Sequence, residues 1–425
     1  MSVFAKASAS RSRSLKSILS GIAIVGAGAL VLSACSTPGT DAPEQPGDRE
    51  ELTLHIGTLL PQTGSLAFLG PPEEAGVALA VKEINEANAG ITVEVTYGDS
   101  GDPDNKAYAT TVPNLLAEGV DAIIGAAASG VSKLVIDQVI SANTILFSPA
   151  NTSPDFTTWN DNNLYWRTAP SDLLQGEVLG NLIAEDGHST LGMIILNDAY
   201  GTGLEKVTRE VFEGAGGTHV GSEFFNAGDT NFSAQVNAVI AQNPDAIAIV
   251  SFDEIYTLVP ALKDAGFDMS NLYLVDGNLK QFGEDLPAGS LTGAKGTTPG
   301  PVLADDFQQR LLDAHQEAFG APMGDDFSYA AESYDAVILL ALAALAANST
   351  DAQDIASKLQ EVSGGSGNGE KATDFASAAQ IILDGGVVDY DGYSGPITFD
   401  SAGDPTEATI GIFQYGEDNT HTRIN

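Results

Sequence analysis

Cysteine occurs once in the 425 residues, at position 35, so no intramolecular disulfide can form. Basic residues are scarce: 18 Lys and Arg face 57 Asp and Glu, for a formal net charge of −39. Such a surface repels nucleic-acid phosphates and gives no polybasic attraction to anionic lipid, which argues against nucleic acid as a partner. Histidine is equally sparse. The five, His55, His188, His219, His315 and His421, are scattered without a His-x-x-x-His pair, so no metal site is expected. A Gly-x-Ser-x-Gly elbow and a phosphate loop ending in Gly-Lys-Ser/Thr are missing too. Adjacent acids such as Asp305-Asp306 and Asp325-Asp326 read as solvated loop charges rather than a hydrolase carboxylate pair. Neither a catalytic residue nor a cofactor is expected, and the chain is read as a non-enzyme.

The apolar run near the start, Ile18 to Leu32, carries no charge but is shorter than the ~20 residues a spanning helix needs. Lys6, Arg11, Arg13 and Lys16 precede it and Leu32-Ser33-Ala34-Cys35 follows. A basic start, a short apolar middle and small residues at the cut site make residues 1–34 a signal peptide. The last four residues also resemble a bacterial lipobox, in which Cys35 becomes the lipidated N-terminus of the mature chain; the alternative is a free thiol in an ordinary leader. Lipidation would anchor the protein to the outer face of the bacterial cell membrane. Residues 35–51, dense in Pro, Gly and acids and without an apolar pattern, read as a flexible tether.

From Leu52 the body alternates short β-rich runs with longer helical patterns. One series has strands at Leu52–Leu60, Ile91–Tyr97, Ala122–Gly125 and Thr144–Ser148, with helices between them at Glu74–Asn88, Ala107–Glu118 and Val131–Ser141. A second, after Arg167-Thr-Ala-Pro170, runs through strands at Leu191–Asn197, His219–Phe225, Ala246–Ser251 and Leu272–Val275. Alternation of this kind means parallel-rich sheets, hence an α/β fold with two Rossmann-like lobes. The helices expected at Ala304–Phe319 and Ser328–Ala347 and the strands expected at Ile397–Asp400 and Ala408–Tyr415 need a sheet to join, so the chain must cross between lobes more than once. The Gly-rich 363–369 is a loop. Two open α/β sheets facing one another leave a cleft outside the carboxyl ends of their strands, with a hinge behind it.

Several pieces then match something specific. They are Ile56-Gly57 with Leu60-Pro-Gln-Thr-Gly64, Asp99 with Gly101-Asp-Pro103, and Ile124-Gly125 followed by Ser129. Ser148-Pro-Ala-Asn-Thr-Ser-Pro154, Arg167-Thr-Ala-Pro-Ser-Asp172 with Gln175-Gly176, Tyr200-Gly-Thr-Gly-Leu204 and Gly395-Pro-Ile-Thr-Phe-Asp400 with Gly403-Asp404 continue in the same order. The chain resembles the leucine/isoleucine/valine-binding protein family, across essentially the whole mature body. That resemblance implies a type I periplasmic binding protein fold with a three-segment hinge crossing near Thr168, Thr298 and Ser394. Lobe 1 would comprise 52–168 plus 299–394, and lobe 2 would comprise 169–298 plus 395–425.

An amino acid presents a carboxylate, an ammonium and a side chain, and a site for it needs N–H and hydroxyl donors, an acid and a shaped wall. Ser129 starts a helix after a strand, where orphan amides and the dipole favour an anion, although Ser is also a common N-cap. The resemblance assigns carboxylate recognition to Ser129, the Ala150 backbone and Thr152, and the ammonium to Asp276, whose plainer reading is a turn Asp before Gly277. It places Tyr200 over the ligand, Tyr329 as an aromatic wall, and Ser251 or its neighbour Phe252 at a further contact. Leu69, Ala127 and Ala128 stand where bulkier residues occur in the family, so the pocket is expected to be roomier and less aromatic. Leucine, isoleucine and valine are thus candidates beside other amino acids, amides and urea-like solutes. The implied function is capture of such a solute for an ABC permease and ATPase complex by a monomer; a ligand-sensing module signalling through a membrane partner is the alternative.

Overall fold

The computed structural model describes residues 49–425. The signal peptide, Cys35 and the first part of the tether lie outside the described residues. The first sheet is assembled from β1 (Leu52–Leu59), α1 (Gly70–Ala87), β2 (Ile91–Thr96), α2 (Tyr108–Glu118), β3 (Ala122–Gly125), α3 (Ser129–Ser141), β4 (Ile145–Ser148) and β5 (Tyr165–Arg167). Every residue of β3 and β4 is buried, as in strands covered by helices on both faces. All pairings are parallel, in the order β2-β1-β3-β4-β5.

A second series follows: α4 (Asp172–Glu185), β6 (Thr190–Leu196), α5 (Ala199–Gly214), β7 (Thr218–Phe225), α6 (Ser233–Ala241), β8 (Ala246–Val250), α7 (Ile255–Asp264), β9 (Leu272–Val275) and β10 (Lys295–Pro299). Its parallel order, β7-β6-β8-β9-β10, repeats that of the first sheet. This doubled flavodoxin-like order places a topological switch point in each sheet, between β1 and β3 and between β6 and β8.

After β10 the chain returns to the first sheet. α8 (Asp305–Phe319) packs on α1, and α9 (Ala330–Ala347) packs on α1, on α10 (Ala352–Val362) and over β1 to β4. α9 is apolar and long enough to cross a membrane, yet Ala330 through Leu345 are all buried within the protein. It is the core helix here, its Ala face admitting α1 closely. β11 (Glu370–Ala372), α11 (Phe375–Leu383), β12 (Val388–Gly392) and β13 (Gly395–Pro396) then form a small sheet in the order β11-β12-β13. β14 (Ile410–Tyr415) and β15 (His421–Arg423) extend the second sheet antiparallel from β10.

One expectation needs correcting. Residues 397–400, read as a strand belonging with the second lobe, form only an isolated bridge between Phe399 and Pro405. The Phe399 ring packs on Phe147 and Trp166, and Asp404 pairs with Arg167, so this segment lies against the first sheet. The cause is Arg167. Its guanidinium is fully buried at the end of β5, and Asp404 neutralises it through two bonds, Nε to Oδ1 at 2.6 Å and Nη2 to Oδ2 at 2.8 Å. The chain therefore joins the second sheet only after Asp404, not at 395.

Candidate ligand-binding site

Loops at the carboxyl ends of both sheets converge on one small, nearly closed cavity of about 10 Å³. Leu66 and Leu69 reach it from after β1, Ala127, Ala128 and Ser129 from after β3, and Ala150 and Thr152 from after β4. Opposite them stand Tyr200 after β6, Phe252 after β8, and Asp276 and Gly277 after β9, while Tyr329 closes the side just before α9. The strand-end rule thus acts twice on one space.

Close approach of backbone shapes the first wall. A Cβ on Gly125, whose φ is +128°, would fall 2.2 Å from Leu59 O, so only glycine fits where β3 turns toward the cavity. Behind it, the Asn151 amide donates to Ala126 O at 2.9 Å and Ala127 O at 2.8 Å. Ser148 Oγ donates to Ala126 O at 2.7 Å and accepts from Asn151 N at 2.9 Å. Arg167 Nη1 holds the same loop through Ser153 O at 2.8 Å. These bonds fix Ala128, Ser129, Ala150 and Thr152 side by side.

Ser129 is the first residue of α3, not its cap. The cap position is Ala128, which has no side-chain acceptor, and the Ser129 hydroxyl accepts from Ser153 N at 3.3 Å. The first amides of α3 are consequently left without a side-chain partner at the cavity edge, an arrangement suited to an anion. Ala150 N, expected to face a ligand carboxylate, donates to Ser148 Oγ at 3.2 Å.

The second wall is built around Asp276, only 7% exposed. Its Oδ1 accepts from Tyr200 OH at 2.7 Å and Gln175 Nε2 at 2.9 Å, and its Oδ2 accepts from Tyr329 OH at 2.8 Å. Burial raises its pKa, while the tyrosine and glutamine donors hold it back. All three donors are neutral, so the charge itself is uncompensated. Asp172 is close by in electrostatic terms: burial and then Asp276 raise its pKa well above the ordinary range. Neither Asp172 oxygen has a partner in hydrogen-bond geometry, although the Thr152 hydroxyl is near enough to favour the charged form. The Tyr200 ring stacks on Phe252 at 5.6 Å between centroids and 7° between planes.

Of the ligand-contact residues singled out from sequence, all but Ser251 line this cavity. Ser251 is buried behind the wall, where its Oγ accepts from Asn278 Nδ2 at 3.0 Å, and Phe252 takes the facing position. Alternation at the end of β8 explains the exchange, since the residue after an inward serine points the other way.

A profile described as periplasmic binding protein matches residues 53–395. The chain belongs to that family. Among its relatives is a leucine-, isoleucine-, valine-, threonine- and alanine-binding protein of Pseudomonas aeruginosa, 24% identical over 380 residues that cover 88% of this chain and 92% of the relative. A Leu/Ile/Val-binding protein homolog of Brucella abortus is 30% identical over 323 residues, 72% of this chain and 82% of the relative. The crystal structure of a branched-chain amino acid transporter substrate-binding protein from Streptococcus pneumoniae, in complex with isoleucine, shares the fold. Its TM-score is 0.68 at 22% identity, covering 88% of this chain and 99% of that one.

Membership of this family carries a solute-binding role. Within this periplasmic binding protein, sequence reading missed Leu66 and the part played by Gln175. Leu66 sits in a turn with no periodicity to mark it. Gln175 lies among family-like residues in Asp172–Gly176, but only the fold brings its amide across to Asp276 and to Thr297 O, 3.1 Å away.

Proposed function

We propose that the protein captures a single amino acid, of branched-chain size or similar, between its two lobes. It presents that solute to an ABC importer from the outer face of the membrane, where lipidated Cys35 would hold it. The observation that carries the reading is the division of chemistry across the cavity. Helix-terminal amides and the Ser129 and Thr152 hydroxyls stand on one wall, and the uncompensated carboxylate of Asp276 stands on the other. A zwitterion spanning the space would put its anionic end on the first and its ammonium on the second. The free space between the walls, about 10 Å³, has room for no more than about one water, so the walls must part to admit a solute. Leu66, Leu69, Ala127 and Phe252 supply an apolar surface for its side chain.

Calorimetric titration with leucine, isoleucine, valine and small polar amino acids, each beside its N-acetyl and carboxamide derivative, tests this. At least one free amino acid should bind and both of its derivatives should lose affinity. Asp276→Asn should weaken the same ligand about 10- to 150-fold, the equivalent of a charge-assisted hydrogen bond. Equal affinity for the N-acetyl derivative, or for the variant, contradicts the ammonium assignment.

A further inference from the structure

Tyr329 has a second face. Beyond it lies another hollow, of about 210 Å³ and open to solvent, at the place where the chain crosses from β10 to α8. Its aromatic lining includes Tyr329, Phe327 and Phe413, its acids are Asp325, Asp326 and Glu332, and no Lys or Arg side chain lines it. Glu332 is the unusual member. It is 4% exposed, it lines the hollow, and its carboxylate receives no hydrogen bond from another residue among those described. The crossing segment leaves it room, since a Cβ on Gly300 would stand 3.2 Å from Glu332 Oε1.

The charges around Glu332 do not satisfy it. Glu73 faces it from α1 and Asp335 from its own helix, both negative. Arg423, on β15, spends Nη1 on Gly300 O at 3.2 Å, and Lys280 acts on Asp326. His421, also lining the hollow, is held neutral by burial, its pKa pushed down to about 4. A buried acid without a protein donor, set in an aromatic hollow that water can enter, fits a molecule that brings both a positive charge and N–H donors.

We propose that this hinge-side hollow is a second binding site, for a small organic ammonium, with Glu332 as its charged anchor and the Tyr329, Phe327 and Phe413 rings as its walls. The volume, below the roughly 300–1,000 Å³ of larger ligand pockets, suits a small cation. The assignment of this hollow does not depend on which solute the interlobe cavity takes, but the two share a wall. The Tyr329 hydroxyl donates to Asp276 Oδ2 at 2.8 Å while its ring borders the hollow. An occupant pressed on that ring would help fix the hydroxyl that positions Asp276.

The test is titration of the full chain, at a pH above the Glu332 pKa of about 8 so that the anchor is ionised, with n-butylammonium chloride, against sodium chloride for ionic strength and n-butanol for the neutral shape. Saturable binding of the ammonium alone is expected. It should weaken about tenfold or more in Glu332→Gln and stay within about twofold in Asp276→Asn. Phe327→Leu, at a half-buried ring, should weaken it several-fold and serves if Glu332→Gln does not fold. Absence of saturable binding, equal affinity in both hollow variants, or loss in Asp276→Asn with Glu332→Gln unaffected overturns the proposal, the last because it places the probe in the interlobe cavity.

Discussion

Asp276, Asp172, Glu73 and Glu332 put four buried carboxyl groups within a few residues of the cavity and the hinge, in a chain that has few bases to spend on them. None of this was legible as burial. Asp276 was found because it precedes a glycine at a strand end in a family-like pattern, whereas Glu73 and Glu332 carry no local signal distinguishing them from the many acids on the surface. Their consequence is a pH dependence. Burial raises the Glu332 pKa from an ordinary 4.5 to about 8. Between those values the folded chain binds more protons than the unfolded one, so this group's contribution to stability is present at low pH and falls as pH rises toward 8. Glutamine at that position has no proton to lose. Thermal unfolding of Glu332→Gln should therefore show a gain in Tm over the wild type that is larger at pH 8 than at pH 5. A gain that shrinks with rising pH would mean that Glu332 is paired as an anion in the folded state.

At the scale of elements, the sequence specified most of the strands and helices because burial on both faces leaves short unbroken apolar runs, such as Ile123-Ile124 in β3 and the whole of β8. It failed where a segment is held by one charge and not by a pattern. The three-residue β5 shows in the sequence only as a motif around Arg167, and residues 397–400 look like a strand although the Arg167–Asp404 pair ties their segment to the first sheet. Removing one member of that pair leaves a buried charge unpaired. Asp404→Ala should cost about 3–5 kcal/mol in urea unfolding, with Asp404→Asn costing less because the amide oxygen can still accept from the guanidinium. A cost below about 1 kcal/mol would mean that Arg167 finds another acceptor. The small sheet of β11 to β13 escaped notice because its strands are brief and half exposed.

Taken whole, the molecule is two copies of one strand order whose switch points share a cavity. Its acidic surface repels nucleic acid and says nothing of the fold. The two halves meet closely at the N-termini of α3 and α5. A Cβ on Gly130 would come within 2.6 Å of Asp198 Oδ2, and burial pushes the Asp198 pKa up to about 6. Gly130→Ala should prop the halves apart and weaken solute binding, and adding Asp198→Ala should recover much of the loss. Additive losses in that double-mutant cycle would show that the contact does not limit closure.

The central claim is that one solute bridges both walls. A crystal structure of the protein saturated with the tightest amino acid from the titration tests it most directly. The account predicts the ligand carboxylate against the first turn of α3 and Thr152, and its nitrogen within hydrogen-bond distance of Asp276. Density for the solute elsewhere, or in the cavity with its nitrogen turned away from Asp276, contradicts it.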